Sequence, residues 1–179
     1  FDSFDEEDGE GDTGLSRRQE EVKAEALARL ERVRAALDQL RQAHKRNGHG
    51  SPSYLRAEAA ICRELMGIRF TAKVVEKLCD TLRGQMEQVR SIERAVLELA
   101  VNRCGMPRAH FIKVFPGNET NLEWVDGEVN AGHAYSAILG RNIPTIKELQ
   151  QRLIDLQARV VLPLPDLRNI NRQMAAGEM

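Results

Sequence analysis

The chain has 179 residues, of which 42% are apolar, 30% are charged and eight are aromatic. This length allows one domain with a real core, and a composition rich in Leu, Ala, Glu, Arg and Gln favours helices over strands. No apolar run approaches the ~20 residues that a membrane span needs, and no signal peptide is visible. We therefore predict a soluble, cytoplasmic, all-α protein without a membrane anchor.

Charge is distributed unevenly, although the net charge is only −1. Residues 1–12 hold seven acidic and no basic side chains, which leaves 26 basic against 20 acidic side chains over 13–179. An acidic run of this kind buries too little apolar surface to order itself, so residues 1–14 are predicted to be a disordered flank. A second interpretation is that the acidic run keeps the more basic remainder away from stray nucleic acid.

Two helices are predicted in the first third of the chain. The first begins near Ser16, where Ser16 and Gln19 match a capping box, and it ends at Asn47-Gly48. Its seam at coiled-coil spacing consists of Ala26, Leu30, Val33, Leu37, Leu40 and His44. The second helix begins at Ser51-Pro52, and its predicted inward face consists of Leu55, Ala59, Cys62, Leu65 and Met66. We expect the two helices to form an intramolecular hairpin rather than a dimer.

A long helix from about Thr71 to Arg103 is predicted to be the spine of the fold. Thr71 can cap it, and Phe70 can pack on Val75. Its apolar stripe consists of Val75, Leu78, Leu82, Val89, Ile92, Val96 and Leu99. Gly105 and Pro107 end the helix. The predicted fold is therefore an irregular helical bundle organised on one long central helix at about 72–103.

Shorter helices are predicted after this spine. One covers Pro107 to Phe115, and its buried residues are predicted to be Phe111, Ile112 and Phe115. Capping boxes at Thr120 and Thr145 begin two more helices, the first of which carries Trp124 as a core anchor that needs a partner for its indole N–H. The glycines between them predict a loose segment over 127–142. Pro163 and Pro165 end the second of these helices and begin a last amphipathic helix, which has Leu164, Leu167, Ile170 and Met174 on one face.

No catalytic or metal-binding constellation is recognisable. Cys62, Cys79 and Cys104 lack CxxC spacing and are predicted to be buried thiols in a reducing compartment. The four histidines, His44, His49, His110 and His133, fall on different predicted elements. HExxH, P-loop and GxGxxG motifs are absent. We therefore predict no catalytic residue, no cofactor, no metal ion and no enzymatic activity, which makes a helical enzyme the least favoured class.

The basic side chains do not form a clear nucleic-acid surface. Five arginines could line the spine and its end, namely Arg83, Arg90, Arg94, Arg103 and Arg108. They alternate with Glu87, Glu93 and Glu98, and no aromatic stacking platform lies among them. Weak nucleic-acid binding at best is therefore predicted for the isolated chain.

Three runs, in the same order, resemble bacterial housekeeping sigma factors of RNA polymerase. The first is the long helix with the sequence RSIER at 90–94. The second is Cys104-Gly105-Met106-Pro107, followed by aromatic residues up to Trp124. The third is NINRQM at 169–174 with Gly177-Glu178, which is similar to the family's "DINRRMSIGE" segment. The resemblance covers about 68–178, and the prolines at 163 and 165 depart from the family at the turn before the last helix.

The resemblance implies that the chain is the all-helical insert between conserved regions one and two of a primary, sigma-70 class sigma factor. It would be part of a longer protein, with a helical domain over 15–179 whose last helix leads into the second conserved region. The parent would direct RNA polymerase core enzyme to promoters, and promoter DNA would be bound outside this chain. The non-catalytic, monomeric insert would contact the β′ subunit and aid promoter escape.

The residues alone leave an alternative open and one question unanswered. A generic helical adaptor or coiled-coil dimer, unrelated to transcription, would also account for the apolar seams of the predicted helices. The sequence does not identify the surface that binds a partner.

Overall fold

The structure, a computed structural model, describes the backbone of residues 10–177 and the side chains of residues 14–177. This part of the chain contains eight α-helices and one π-helix, and no strand, which confirms the all-α fold class. In chain order these are α1 (Glu10–Asn47), α2 (Pro52–Met66), α3 (Ala72–Leu97), the π-helix (Glu98–Arg103), α4 (Arg108–Val114), α5 (Trp124–Asn130), α6 (Ser136–Arg141), α7 (Ile143–Val160) and α8 (Leu164–Gly177).

The chain divides into two compact units after Thr71. Unit 1 contains α1 and α2, and unit 2 contains all the later helices. The single domain expected over 15–179 stays a prediction, because compactness does not measure cooperative folding. Among the described helices, none combines the length and the apolar character that crossing a membrane requires.

The acidic flank falls largely outside the described residues. Residues 1–9 are among those not described, whereas α1 begins at Glu10 and so includes 10–14. The predicted helix start at Ser16 is wrong, since Ser16 lies inside α1.

Unit 1 is the predicted helical hairpin. The turn begins after Asn47, with Gly48 at a φ of 80°, and α2 begins at Pro52. Ser51 caps α2, because its hydroxyl oxygen accepts the Tyr54 N–H at 3.3 Å. Both ends of the connection therefore agree with the sequence.

The predicted inward face of α2 is wrong. Tyr54 and Ala57 are the buried residues of α2, whereas Leu55 is 53% exposed, Met66 is 89% exposed and Cys62 is exposed. The buried residues of α1 are Ala36, Leu40 and Ala43. Small side chains at such positions let two helices approach closely, and Tyr54 is the largest of the buried side chains of α1 and α2.

The predicted central helix is confirmed in unit 2, since α3 continues directly into the π-helix and together they span 72–103. Two buried apolar clusters pack on it. One joins its C-terminal end to α4, α5 and α6, and the other joins Met86 and Val89 to Leu153, Leu156, Leu164 and Leu167 of α7 and α8. The first part of the predicted stripe is not buried, because Val75 is 45% exposed and Leu78 is 56% exposed.

The shorter helices correct three expectations. Glu123 and Asn142 precede α5 and α7 without a capping side-chain hydrogen bond, so the boxes at Thr120 and Thr145 do not begin these helices. The segment 127–142 is ordered into the end of α5 and all of α6. Ile112 of α4 is 57% exposed rather than buried.

Candidate interaction groove and histidine cluster

Unit 2 contains an open groove of about 640 Å³ between α3, α4, the turn after α4 and α8. We call this the α3–α8 groove. Its apolar lining consists of Leu97, Phe111, Ile112, Phe115 and Pro116. Its charged lining consists of Glu87, Arg90, Glu93, Arg94, Glu119 and Arg168. Apolar surface framed by both signs of charge is suited to binding a protein segment, because apolar anchors surrounded by a polar rim are typical of interfaces.

An aromatic cluster forms the base of this groove. Phe111 and Phe115 stack with ring centroids 4.7 Å apart, and Trp124 lies edge-on to Phe115 at 5.0 Å. Trp124 is buried as predicted, but its indole Nε1 has no hydrogen-bond partner within the described part of the chain. The rings set the position of α4 and therefore of the exposed Ile112.

Arg168 connects α8 to the opposite side of the groove. Its guanidinium pairs with Glu93 of α3 and, at 3.3 Å, with Glu119 of the turn after α4. Burial lowers the pKa of Arg168, yet an arginine titrates so far above neutral pH that it stays charged. These two ion pairs fix Arg168 near the start of α8. The run Asn169–Met174 comes directly after this fixed residue in the chain.

Two of the five arginines considered for nucleic-acid binding are paired with carboxylates, and a third lines the groove. Arg83 pairs with Asp80 at 2.7 Å, and Arg94 pairs with Glu87. Arg90 belongs to the charged lining of the groove. Weak nucleic-acid binding by the isolated chain stays a prediction.

Three titratable side chains of unit 2 meet beside α5. His110 Nε2 lies 2.9 Å from Glu128 Oε2, and His133 Nε2 lies 3.9 Å from the same oxygen. The potential ligand atoms of all three residues lie within 4.8 Å of one another. We call these residues the His–Glu cluster.

His110 and His133 lie on different elements, as the sequence predicts, but the fold brings their side chains together, which their positions in the sequence do not indicate. His110 and His133 are far apart in sequence, and only the packing of α4, α5 and the turn before α6 brings them together. No motif in the sequence predicts this arrangement, because the three residues come from three separate elements. His44 instead lies beside Tyr54 in unit 1, with ring centroids 6.2 Å apart.

Tyr135 contacts two members of the His–Glu cluster, Glu128 and His133. Its hydroxyl donates to Glu128 Oε2 at 3.2 Å, and its ring stacks on His133 at 5.0 Å. Burial, together with the nearby Glu128 carboxylate, raises the pKa of Tyr135 to about 12. The phenol is therefore a stable hydrogen-bond donor at neutral pH.

The cysteines differ from one another in environment. Cys62 is exposed, Cys79 is partly exposed and Cys104 is buried. Burial raises the pKa of the Cys104 thiol, which makes it unreactive at neutral pH. The prediction of buried thiols is thus wrong for Cys62.

Comparison with known proteins identifies the family. A family model described as "Sigma-70, non-essential region" matches residues 1–157 of this chain. The chain belongs to the sigma-70 family, as its non-essential region, which confirms the resemblance read from the sequence.

A sequence relative is the RNA polymerase sigma factor RpoD of Neisseria gonorrhoeae. It is 32% identical to this chain over 125 residues, which cover 70% of this chain and 20% of that protein. The matched part of the chain thus spans about one fifth of this curated relative's length.

Proposed function

We propose that this chain is a non-catalytic part of a sigma factor that directs RNA polymerase core enzyme to promoters for transcription initiation. The observation that carries the proposal is the match of the non-essential region of sigma-70 to residues 1–157. The similar protein from N. gonorrhoeae is named as such a sigma factor. In this proposal, promoter DNA is bound by parts of the protein outside this chain, and the protein acts in the cytoplasm.

The insert's own role, in this proposal, is a second and weaker contact with the β′ subunit. The α3–α8 groove is the best candidate surface, because it combines an exposed Ile112 with framing charges of both signs. Arg168 ties the groove to α8, whose sequence resembles the lead into the second conserved region. A groove held beside a main docking region engages its partner at high effective concentration.

Such a contact would aid promoter escape. A weak additional contact mainly changes how fast a complex dissociates, and it has little influence on how fast the complex forms. The occupant we propose is a β′ segment that presents an apolar side chain between charged neighbours. Loss of the contact would therefore alter the release of the polymerase from the promoter more than promoter recognition.

An Ile112→Glu substitution in the parent protein tests this role. Ile112 is 57% exposed, so the new carboxylate leaves the fold intact while placing a charge at the apolar lining of the groove. We expect a changed ratio of abortive to full-length transcripts, measured with reconstituted holoenzyme. A photo-crosslinking side chain at position 112 is expected to label β′.

Ile138→Glu is the matched control. Ile138 is 46% exposed on α6 and does not line the groove. The proposal for the groove fails if both variants give the wild-type transcript ratio, or if position 138 labels β′ as strongly as position 112. A reconstituted wild-type holoenzyme that gives no promoter-directed transcripts would instead contradict the assignment as a sigma factor.

One observation favours the alternative, a coiled-coil interaction module. Leu15, Val22, Leu27 and Leu30 of α1 are all at least 49% exposed. A second copy of the chain could cover them through a parallel or antiparallel coiled coil. Light scattering decides between the two: a stable dimer that Leu27→Glu dissociates supports the alternative, and a monomer supports the insert.

A further inference from the structure

We propose that His110, Glu128 and His133 form a binding site for one divalent transition-metal ion of the zinc class. The proposal rests on the geometry of unit 2 and is independent of the role proposed for the groove. No motif in the sequence marks the site.

The spacing of the three side chains fits such an ion. Metal–ligand bonds of about 2.0–2.1 Å in a tetrahedral zinc site place neighbouring ligand atoms roughly 3.3 Å apart. The distances of 2.9 Å and 3.9 Å from Glu128 Oε2 to the two histidine Nε2 atoms lie on either side of that value. All three ligand atoms lie within 4.8 Å of one another, so the side chains have to rotate toward each other to close around an ion.

The donor set selects the class of metal. Two imidazole nitrogens and one carboxylate oxygen suit zinc, cobalt, nickel and copper, whereas magnesium and calcium prefer oxygen ligands alone. Three protein ligands leave a fourth position for water, and the side chain of His133 is 40% exposed, so an ion can reach the site from solvent.

Surrounding hydrogen bonds hold the ligands in place before any metal arrives. Tyr135 donates to Glu128, as described above, and Ser136 Oγ donates to the Glu128 backbone oxygen at 3.2 Å. The His133 N–H donates to Ser136 Oγ at 2.8 Å, which fixes the turn that carries the histidine. Such supporting bonds orient metal ligands, and their loss typically weakens binding by about 10–100-fold.

A bound ion would connect three elements of unit 2. His110 lies on α4, Glu128 on α5 and His133 in the turn before α6. Because the ion binds the assembled site and not the separated ligands of the unfolded chain, it stabilises unit 2 by mass action. It would also fix α4, whose next residues, Phe111 and Ile112, line the α3–α8 groove.

The test is a Co²⁺ titration of the 179-residue chain followed by visible absorption. The exposed Cys62 and the partly exposed Cys79 are first replaced by Cys62→Ser and Cys79→Ser, so that thiolate binding at these two positions does not contribute. We expect one equivalent to bind with the absorption bands of nitrogen and oxygen ligands, without a thiolate charge-transfer band. Zn²⁺ should compete for the site and raise the Tm, and a chelator should reverse both effects.

Variants of the cluster identify the ligands. His110→Gln and His133→Gln should each weaken Co²⁺ binding by at least about 100-fold, and Tyr135→Phe by about 10–100-fold. His49→Gln in unit 1 is the matched control and should leave affinity unchanged. His133 is exposed, so its variant is expected to fold, which circular dichroism without metal verifies.

Two outcomes would overturn the proposal. One is the absence of ligand-field bands when Co²⁺ is added to the folded chain. The other is Co²⁺ affinity in folded His133→Gln equal to that of the parent chain, because the ion would then be bound elsewhere.

Discussion

Gln150 is a buried polar side chain that fixes a turn next to the α3–α8 groove. It is fully buried in α7, and its Nε2 donates to the backbone oxygens of Asn118 and Asn121 at 3.1 Å and 3.0 Å. This turn also carries Glu119, one of the partners of Arg168. No sequence signal marks this role, because Ile146, Leu149 and Leu153 already form an uninterrupted apolar stripe.

Replacing Gln150 by Leu should destabilise unit 2. The substitution removes both donors and leaves two backbone oxygens without their partner, which typically costs about 1–3 kcal/mol. Urea unfolding followed by circular dichroism measures the change. Gln151→Leu is the matched control, because Gln151 is exposed, and its effect should stay within about 0.5 kcal/mol. Equal effects of the two substitutions would show that Gln150 does not hold the turn.

At the scale of elements, the sequence predicted helices better than their ends and faces. The spine at 72–103 and the hairpin follow from periodic apolar residues and strong breakers, and both are present. Capping boxes were poor predictors, because Ser16 lies inside a helix and the boxes at Thr120 and Thr145 do not begin one. A Ser or Thr three residues before a Glu or Gln caps a helix only if its own backbone φ and ψ lie outside the helical region. The sequence alone does not fix these two angles.

The α3–α8 groove and the His–Glu cluster could not be predicted from the sequence, for a different reason. The groove and the His–Glu cluster each combine residues from at least three elements. Periodicity predicts which face of one helix is apolar, but it does not predict which elements meet. Ile112 illustrates this limit, because its apolar character predicted burial and the structure places it at the groove.

Replacement by Ala should change stability in opposite directions at two glycines, Gly84 within the spine and Gly105 just after its end. Gly105 ends the spine at a φ of 83°, a conformation that costs an L-residue about 1–2 kcal/mol. Gly84 lies inside α3 with open space around its Cα, and Ala there should stabilise the helix by about 0.5–1 kcal/mol.

Gly105→Ala and Gly84→Ala can be compared by urea unfolding. We expect a lower midpoint for Gly105→Ala and a higher midpoint for Gly84→Ala. A stabilising effect of Gly105→Ala would contradict the positive φ that ends the spine.

At the scale of the whole molecule, apolar burial is unequal between the two units. Both large apolar clusters lie in unit 2, whereas the buried residues of unit 1 are Ala36, Leu40, Ala43, Tyr54 and Ala57. Stability scales with the apolar surface removed from water, so unit 1 alone is expected to be much less stable than unit 2. The single domain over 15–179, which chain length suggested, stays a prediction, because chain length does not show how contacts divide between helices.

A Leu153→Ala substitution distinguishes one cooperative domain from two. Leu153 of α7 is fully buried in the cluster with residues of α3 and α8, and its truncation should lower the free energy of unfolding of unit 2 by about 2–5 kcal/mol. If the units unfold separately, as we expect, amide-exchange protection falls in α3 and α7 and stays unchanged in α1 and α2. Leu55→Ala, at a residue 53% exposed in α2, is the control and should leave protection in unit 2 unaltered. Equal loss of protection in both units with Leu153→Ala would mean that 15–179 folds as the single domain predicted from the sequence.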